Sequence, residues 1–523
     1  MMSITGARTM GALILAGLLA AVVPGQAGSP SLADRVIEHK LANGMTVLMV
    51  ERHQAPIVSV NMTFGVGGVN EQVGQTGLAH LYEHMAFKGT RTVGTRDYER
   101  EQALLDDLST VGTELDRRER EEAARAHMEG KTPVPSETVQ QLQRRFKELQ
   151  EKAGEYVVGN EMALLYQRHG GVGLNASTGK DITRYVISLP ANRLPLWAAL
   201  ESDRMAHPVL REFYKERGVV MEERRLRTDD SPNGLLYETF TSTAFQAHQY
   251  GVPTIGWGSD ILSLTPAATE AFFKTYYGPN NATVAIVGDI NPKEVVALIE
   301  QTFGKIPAAP PIPSLVTEEP PQRGERRVEI EFDAEPALAI GYHKPTIGHP
   351  DDFVFDVIDE VLTEGVTSRL YSTLVRDKRL AASVLSDTNY PGVRAPNLFV
   401  IAATPLAPHS VTEVETAIYE ELDRLKTEPI SAKEFERVLN GLDADLVRSL
   451  RSNSGLASQL AFYQTVAGTW RYVLNARDRI AAVTPADVQR VAAQYLTKPN
   501  RTVGVLVKKA QDKNMAAASE VAR

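Results

Sequence analysis

Residues 77 to 90 read GLAHLYEHMAFKGT, which sets His80 and His84 four positions apart with Glu83 directly before the second histidine. On an α-helix, positions four apart share a face and lie roughly 6 Å apart along the axis. Two imidazoles so placed can turn nitrogens on one ion, and Zn2+ accepts a tetrahedral set of nitrogen and oxygen ligands. A hydrolytic zinc site takes three protein ligands, leaves a fourth position to water and needs a base beside that water. Glu83, on the same turn as a candidate ligand, is placed to take the proton. The plain alternative is a helix with two half-exposed histidines, so the pattern asks for a third ligand.

FYKERGVVMEERRLR, residues 213 to 227, offers one. Glu216 and Glu223 lie seven apart, two helical turns, and share a face, with Val219 and Val220 supplying apolar contacts between them. Glu223 could complete a His-His-Glu set, and Glu216 could hold a ligand histidine from behind. Read alone, this stretch also describes a salt-bridged surface helix. The chain has no cysteine, which excludes disulfides, a thiolate metal site and a cysteine nucleophile. Any metal is then held by His, Asp or Glu.

HLYEHMAFKGT followed by ERGVVMEE resembles the pitrilysin/insulinase family of zinc endopeptidases, whose signature is the inverted H-x-x-E-H motif and which includes the mitochondrial processing peptidase. The resemblance covers nearly the whole mature chain. It implies one Zn2+ per chain held by His80, His84 and Glu223, with Glu83 as general base and Glu216 as the supporting glutamate. NASTGKDITRYVISLP (175 to 190) is similar to the strand that lies beside the active site in this family and pairs with substrate backbone, which implies substrate contacts at Asn175, Ala176 and Ser177. YGPNNATVAIVGDI (277 to 290) looks like the family's domain-closing strand, and GVTSRLYSTLVR (365 to 376) like a helix of its second domain. That domain offers the substrate an arginine and, seven residues on, a tyrosine. Arg376 fits the arginine, but Ser383 stands at the tyrosine position, with Tyr371 or Tyr342 as candidate replacements. The 139 positions from His84 to Glu223 exceed the usual family spacing by about the length of a charged insert.

The elements that must position these groups come in the same order twice. At 523 residues the chain is too long for one typical core. MTVLMVE, IVSVNMTFGVG, RYVISLP and NATVAIVGDI read as strands of a first half, and RRVEIEF, ALAIGYHK, NLFVIAATPL and RTVGVLVK as strands of a second, with helices between. The expected class is α+β: two homologous α/β-roll domains, each an antiparallel sheet covered by helices. Aligning Gly89 with Gly365 puts Asp356, Asp359 and Glu360 where the first half has His80, Glu83 and His84, so the repeat keeps the helix without its histidines. IPAAPPIPSLVTEEPPQRGERR (306 to 327), with six prolines in its first sixteen residues, reads as a stiff extended linker. It separates a catalytic domain (33 to 305) from a non-catalytic repeat (328 to 510), with a tail at 511 to 523. Residues 98 to 167, dense in charge and helix formers and broken at KTPVP, read as a helical hairpin inserted into the first domain, in the blandest case a solvated decoration.

The first 27 residues carry Arg8, an uncharged apolar run from Met10 to Val23 and a small-residue cleavage site at Gly25-Gln26-Ala27. That is the order of a secretory signal peptide, so the expected product is exported, periplasmic or secreted, with no stable membrane span after cleavage. A formal net charge of -9 argues against nucleic acid as the partner. The implied substrate is a peptide or unfolded polypeptide laid as an added strand along residues 175 to 177. A two-domain chain of this architecture resembles half of a closed chamber, which suggests a homodimer or a heterodimer with a related subunit. The rival reading is a non-catalytic scaffold or partner subunit of a peptidase complex.

Overall fold

The computed structural model describes residues 31–509; the candidate signal peptide (1 to 27) and the tail (511 to 523) lie outside the described residues. Strands β1 (Ile37–Lys40), β2 (Thr46–Glu51), β3 (Ile57–Phe64), β4 (Val172–Thr178), β5 (Thr183–Pro190) and β6 (Ala282–Gly288) form a first sheet in the order β1-β2-β6-β3-β5-β4. Strands β7 (Arg326–Phe332), β8 (Ala337–Lys344), β9 (Ala381–Tyr390), β10 (Asn397–Pro405) and β11 (Arg501–Lys508) form a second in the order β7-β11-β8-β10-β9. With β1 set aside the two orders coincide strand for strand, so the repeated element order is a repeated topology of the α+β class.

One feature corrects the expected antiparallel sheet: both sheets are mixed. In each half the closing strand lies between the first two and runs parallel to the first, β6 beside β2 and β11 beside β7, while the other pairs are antiparallel. Parallel neighbours need a long crossover, and here the rest of the half lies between them. Strand direction leaves no trace in hydrophobic alternation, whereas burial does. TVLMVE and ATVAIVG are nearly continuous apolar runs because β2 and β6 are covered on both faces.

The helices that matter for the site are α1 (Leu78–Met85), α2 (Tyr98–Met128), α3 (Glu137–Gly154), α4 (Phe213–Arg224) and α5 (Pro232–Ala244) in the first half. In the second they are α6 (Pro350–Leu362), α7 (Ala432–Arg451), α8 (Asn453–Val466) and α9 (Tyr472–Ala481). One face of each sheet packs on its own half: Val60, Met62 and Ile286 meet Leu81, Met85 and Trp197, and Ile340 and Phe399 meet Phe355 and Ile358. The opposite faces are covered in exchange. Leu456, Leu460 and Ala461 of α8 lie on Leu48, Val50 and Val287 of the first sheet. Phe240 of α5 lies on Ala339, Leu398 and Val400 of the second. Gly341 makes that approach possible, since a Cβ there would sit 2.6 Å from the Phe240 ring. At the joint the buried Asp181 carboxylate accepts N–H groups of Val393 (2.6 Å) and Arg394 (3.2 Å) and the Tyr250 hydroxyl (2.8 Å).

Residues 307 to 323 form neither helix nor strand, and Glu319 within them accepts backbone N–H groups of Gln246, Ala247 and His248. Helices α2 and α3 form a hairpin, each started by a side-chain cap, Asp97 on Arg100 N–H and Ser136 on Val139 N–H. Leu108, Leu149 and Ala153 pack between them near the base. The distal part is solvated, as a decoration is, but the base is not, because Glu101 is fully buried against Arg211. Among the described residues no helix is long and apolar enough to cross a membrane.

Candidate metal centre

Helix α1 spans only eight residues, too few to be stable alone, so its ends are fixed by the surrounding structure. At the start Gly77 adopts φ 91°, and a Cβ there would meet the Ile255 carbonyl oxygen at 2.6 Å. The Glu71 carboxylate accepts the N–H groups of Gly77 (2.7 Å) and Ala79 (2.8 Å), satisfying orphan donors at the positive end of the helix. Burial pushes its carboxyl up to about 8, against the pull of those N–H groups. Leu78, Leu81, Tyr82 and Met85 sink into the core, and His80, Glu83 and His84 face α4 and β4.

Helix α4 brings Glu223 to the histidines. Its Oε2 lies 3.7 Å from His80 Nε2 and 3.3 Å from His84 Nε2. One ligand atom from each of the three side chains falls within 4.8 Å of the others, the only such group among the described residues. Seven residues earlier on α4, Glu216 Oε1 takes the His84 Nδ1 at 2.9 Å. With that nitrogen protonated, the Nε2 lone pair of His84 points at Glu223. Burial pulls the His84 pKa down, but Glu216, Glu223 and Glu83 outweigh it and the pKa rises. Burial takes His80 down to about 3, with His84 and Arg227 adding to the fall, so His80 stays neutral. Its buried Nδ1 has no hydrogen-bond partner among the described residues. Lone pairs that converge on one small space fit a shared cation, and two imidazoles with one carboxylate are a donor set suited to zinc.

Four further residues support this group. Thr178 donates its hydroxyl to Glu83 Oε2 at 2.6 Å from the last residue of β4. Burial raises the Glu83 pKa, and the Thr178 bond works against that rise. Lys88 reaches Glu216 Oε2 at 2.6 Å, and with His84 it outweighs burial and holds the Glu216 carboxyl down at about 2. Arg227 meets the outer oxygen of Glu223 at 2.6 Å, and Glu71 caps α1 as described. Thr178 and Lys88 make their contacts across a long stretch of chain and Glu71 across a helix end, where pattern alone does not report pairing, whereas Arg227 follows Glu223 by four residues, a pair that helical spacing does report.

Strand β4 is the edge of the first sheet. Asn175, Ala176 and Ser177 pair with Val186, Tyr185 and Arg184 on one side, and among the described residues no strand pairs with them on the other. Arg376 is not brought to the group: its exposed guanidinium lies on the neighbouring Asp377 at 2.7 Å. Ser383 lies on β9, the second-half counterpart of β4. Tyr342 is fully buried, which removes it as a substitute for the missing tyrosine, whereas Tyr371 is partly exposed. Asp356, Asp359 and Glu360 lie on α6, and burial drives their carboxyls up to about 8, 7 and 7.

Comparison with known proteins gives matches in both halves. Residues 46–113 match the family described as Insulinase (Peptidase family M16), and residues 263–442 match the one described as Peptidase M16 inactive domain. Zinc protease PqqE of Helicobacter pylori is 29% identical over 469 residues, covering 88% of this chain and 90% of that protein. The crystal structure of a protease from Helicobacter pylori superposes with a TM-score of 0.74 at 28% identity, over 90% of this chain and 99% of the other. The first half of the periplasmic protease PqqL from Escherichia coli shares the fold, with a TM-score of 0.63 at 18% identity and 93% of each chain covered.

Proposed function

This chain belongs to the pitrilysin/insulinase (M16) peptidase family, and from that premise we propose that it is an exported zinc metalloendopeptidase that hydrolyses peptides or unfolded polypeptides. The observation that carries the reading is the convergence of His80, His84 and Glu223 from helices 139 positions apart, with Glu83 at its rim. His80, His84 and Glu223 would hold the ion, one per chain. Zinc in such a site polarises a carbonyl and makes water acidic enough to react near neutral pH.

The remaining work falls to the protein. Glu83 accepts the proton of the attacking water as the carbon–oxygen bond forms, then returns it to the amide nitrogen as the carbon–nitrogen bond breaks. The Thr178 hydroxyl fixes its carboxylate and supports the charged form that a base requires. The free edge of β4 offers N–H and C=O groups of residues 175 to 177 to an extended substrate, which adds as a further strand. Arg376 would reach the substrate from the second half after exchanging its contact with Asp377. The N-terminal segment with its apolar run supports export, and the resemblance to a family whose two-domain chains form half of a closed chamber supports a dimer with itself or a related chain.

Glu216 orients His84, so Glu216→Gln is expected to weaken zinc binding about 10- to 100-fold, read by competition with a chromophoric chelator. The function itself is tested with the purified full chain. Metal analysis is expected to find about one zinc per chain, and cleavage of a peptide mixture, read by mass spectrometry, should stop on chelation and return with zinc. A folded chain that holds zinc and cleaves nothing would instead be the scaffold subunit of the rival reading.

A further inference from the structure

The second half carries a half-open cavity that the peptidase chemistry leaves unused. It measures about 370 Å³ and lies among α6, α7, α8 and α9. Asp356, which stands where the first half has His80, lines it. The neighbouring Asp352 also lines it but is already paired with the buried Lys344. Asp356 has no such partner among the described residues; its hydrogen bond, from the Thr388 hydroxyl, is 3.4 Å long. At the mouth Arg477 is engaged by Asp443 at 2.8 Å and does not answer Asp356. Burial and the nearby Asp352 push the Asp356 carboxyl up to about 8, against the pull of Lys344, whose ammonium is held by Asp352.

The walls are aromatic and aliphatic. Tyr463 and Tyr472 stack at 5.0 Å, and Phe462 meets Tyr463 edge-on at 5.1 Å. Leu442 and Leu446 of α7 close another side. Tyr472 is stacked on Phe353 (5.7 Å) as well as on Tyr463, so these rings and the aliphatic wall suit the apolar body of a ligand, and its charge is left to Asp356. A metal ion is a poor occupant, because no set of three donor side chains converges here among the described residues. We infer that this cavity binds an organic cation, a primary ammonium or guanidinium group carried on an apolar body, with Asp356 as its counter-ion.

Two sources share that chemistry: a free amine, and a lysine or arginine side chain of a polypeptide. Calorimetry on the full chain separates them. One arm titrates phenethylammonium against the neutral 2-phenylethanol, and the other titrates acetyl-Leu-Lys-Leu-amide against its norleucine counterpart. In at least one arm the cation is expected to bind at least about tenfold more tightly than its neutral partner, and Asp356→Asn should abolish that preference while leaving peptide hydrolysis unchanged. Leu442→Trp, which fills the cavity, should abolish binding with Asp356 intact, and it decides the matter if Asp356→Asn fails to fold. Binding in the first arm alone assigns the site to small amines, and binding in the second to basic side chains. Equal binding of the neutral partners, full binding by the Asp356→Asn chain or by a folded Leu442→Trp chain, or no binding in either arm overturns the inference.

Discussion

Glu83→Gln is expected to lower the rate of peptide hydrolysis by about 100- to 10,000-fold, the usual contribution of a positioned general base, while zinc stays bound. The two halves of that expectation come from different atoms. Glutamine keeps the shape of the side chain and can still accept the Thr178 hydroxyl, 2.6 Å away in the native chain, so the rim of the site is preserved. It cannot take a proton. The group formed by His80, His84 and Glu223 does not include Glu83, so metal content should match the native protein. Activity is read as kcat/KM on a quenched peptide and zinc by elemental analysis of the same sample. A variant that cleaves at the native rate would remove Glu83 from the role of base, and one that loses zinc as well would make it a ligand.

How far the sequence discloses such a site depends on whether a contact is local. His80, Glu83 and His84 are legible because helical spacing alone puts them together, and Glu216 with Glu223 because seven residues are two turns. That the two stretches meet follows from tertiary packing, and only the resemblance to known peptidases anticipates it. Strand β9 is missed because AASVLSDTNY neither alternates polar and apolar residues nor forms a continuous apolar run, and so carries little strand signal. Strand β1 is missed because its four residues, IEHK, are mostly exposed. The exchange of α5 and α8 between halves is invisible to any local pattern. Phe240 reads simply as an apolar residue on a helix, and the sheet it covers is identified only by Gly341 lying under its ring. The base of the insert is hidden for a similar reason: Glu101 is one acid in the run YEREQALLDD, and nothing in the run distinguishes the buried carboxylate from the solvated ones.

That buried carboxylate carries the second large expectation. Glu101 and Arg211 have no exposed side-chain surface. The guanidinium Nε lies 2.8 and 2.9 Å from the two carboxylate oxygens. Its remaining nitrogens donate to the carbonyls of Lys88 (3.2 Å), Val93 (3.1 Å) and Thr90. These carbonyls belong to the loop that leaves α1, so the first turn of the insert neutralises the cation that holds the loop behind the candidate metal centre. Glu101→Ala leaves a buried guanidinium without a counter-charge and is expected to cost about 3–5 kcal/mol of unfolding free energy, measured by urea denaturation. Arg211→Ala should cost at least as much, because it strands both the carboxylate and three carbonyl oxygens. Hydrogen exchange at residues 88 to 94 should rise in both variants before global unfolding. Glu114→Ala, on the solvated part of α2 where Arg117 and Arg118 surround it, should leave the denaturation midpoint where it was. If Glu101→Ala behaves like Glu114→Ala, the insert is a decoration along its whole length. If it behaves as expected, the hairpin is part of the support for α1, and deleting residues 98 to 167 whole would remove that support along with any partner-binding surface the hairpin carries.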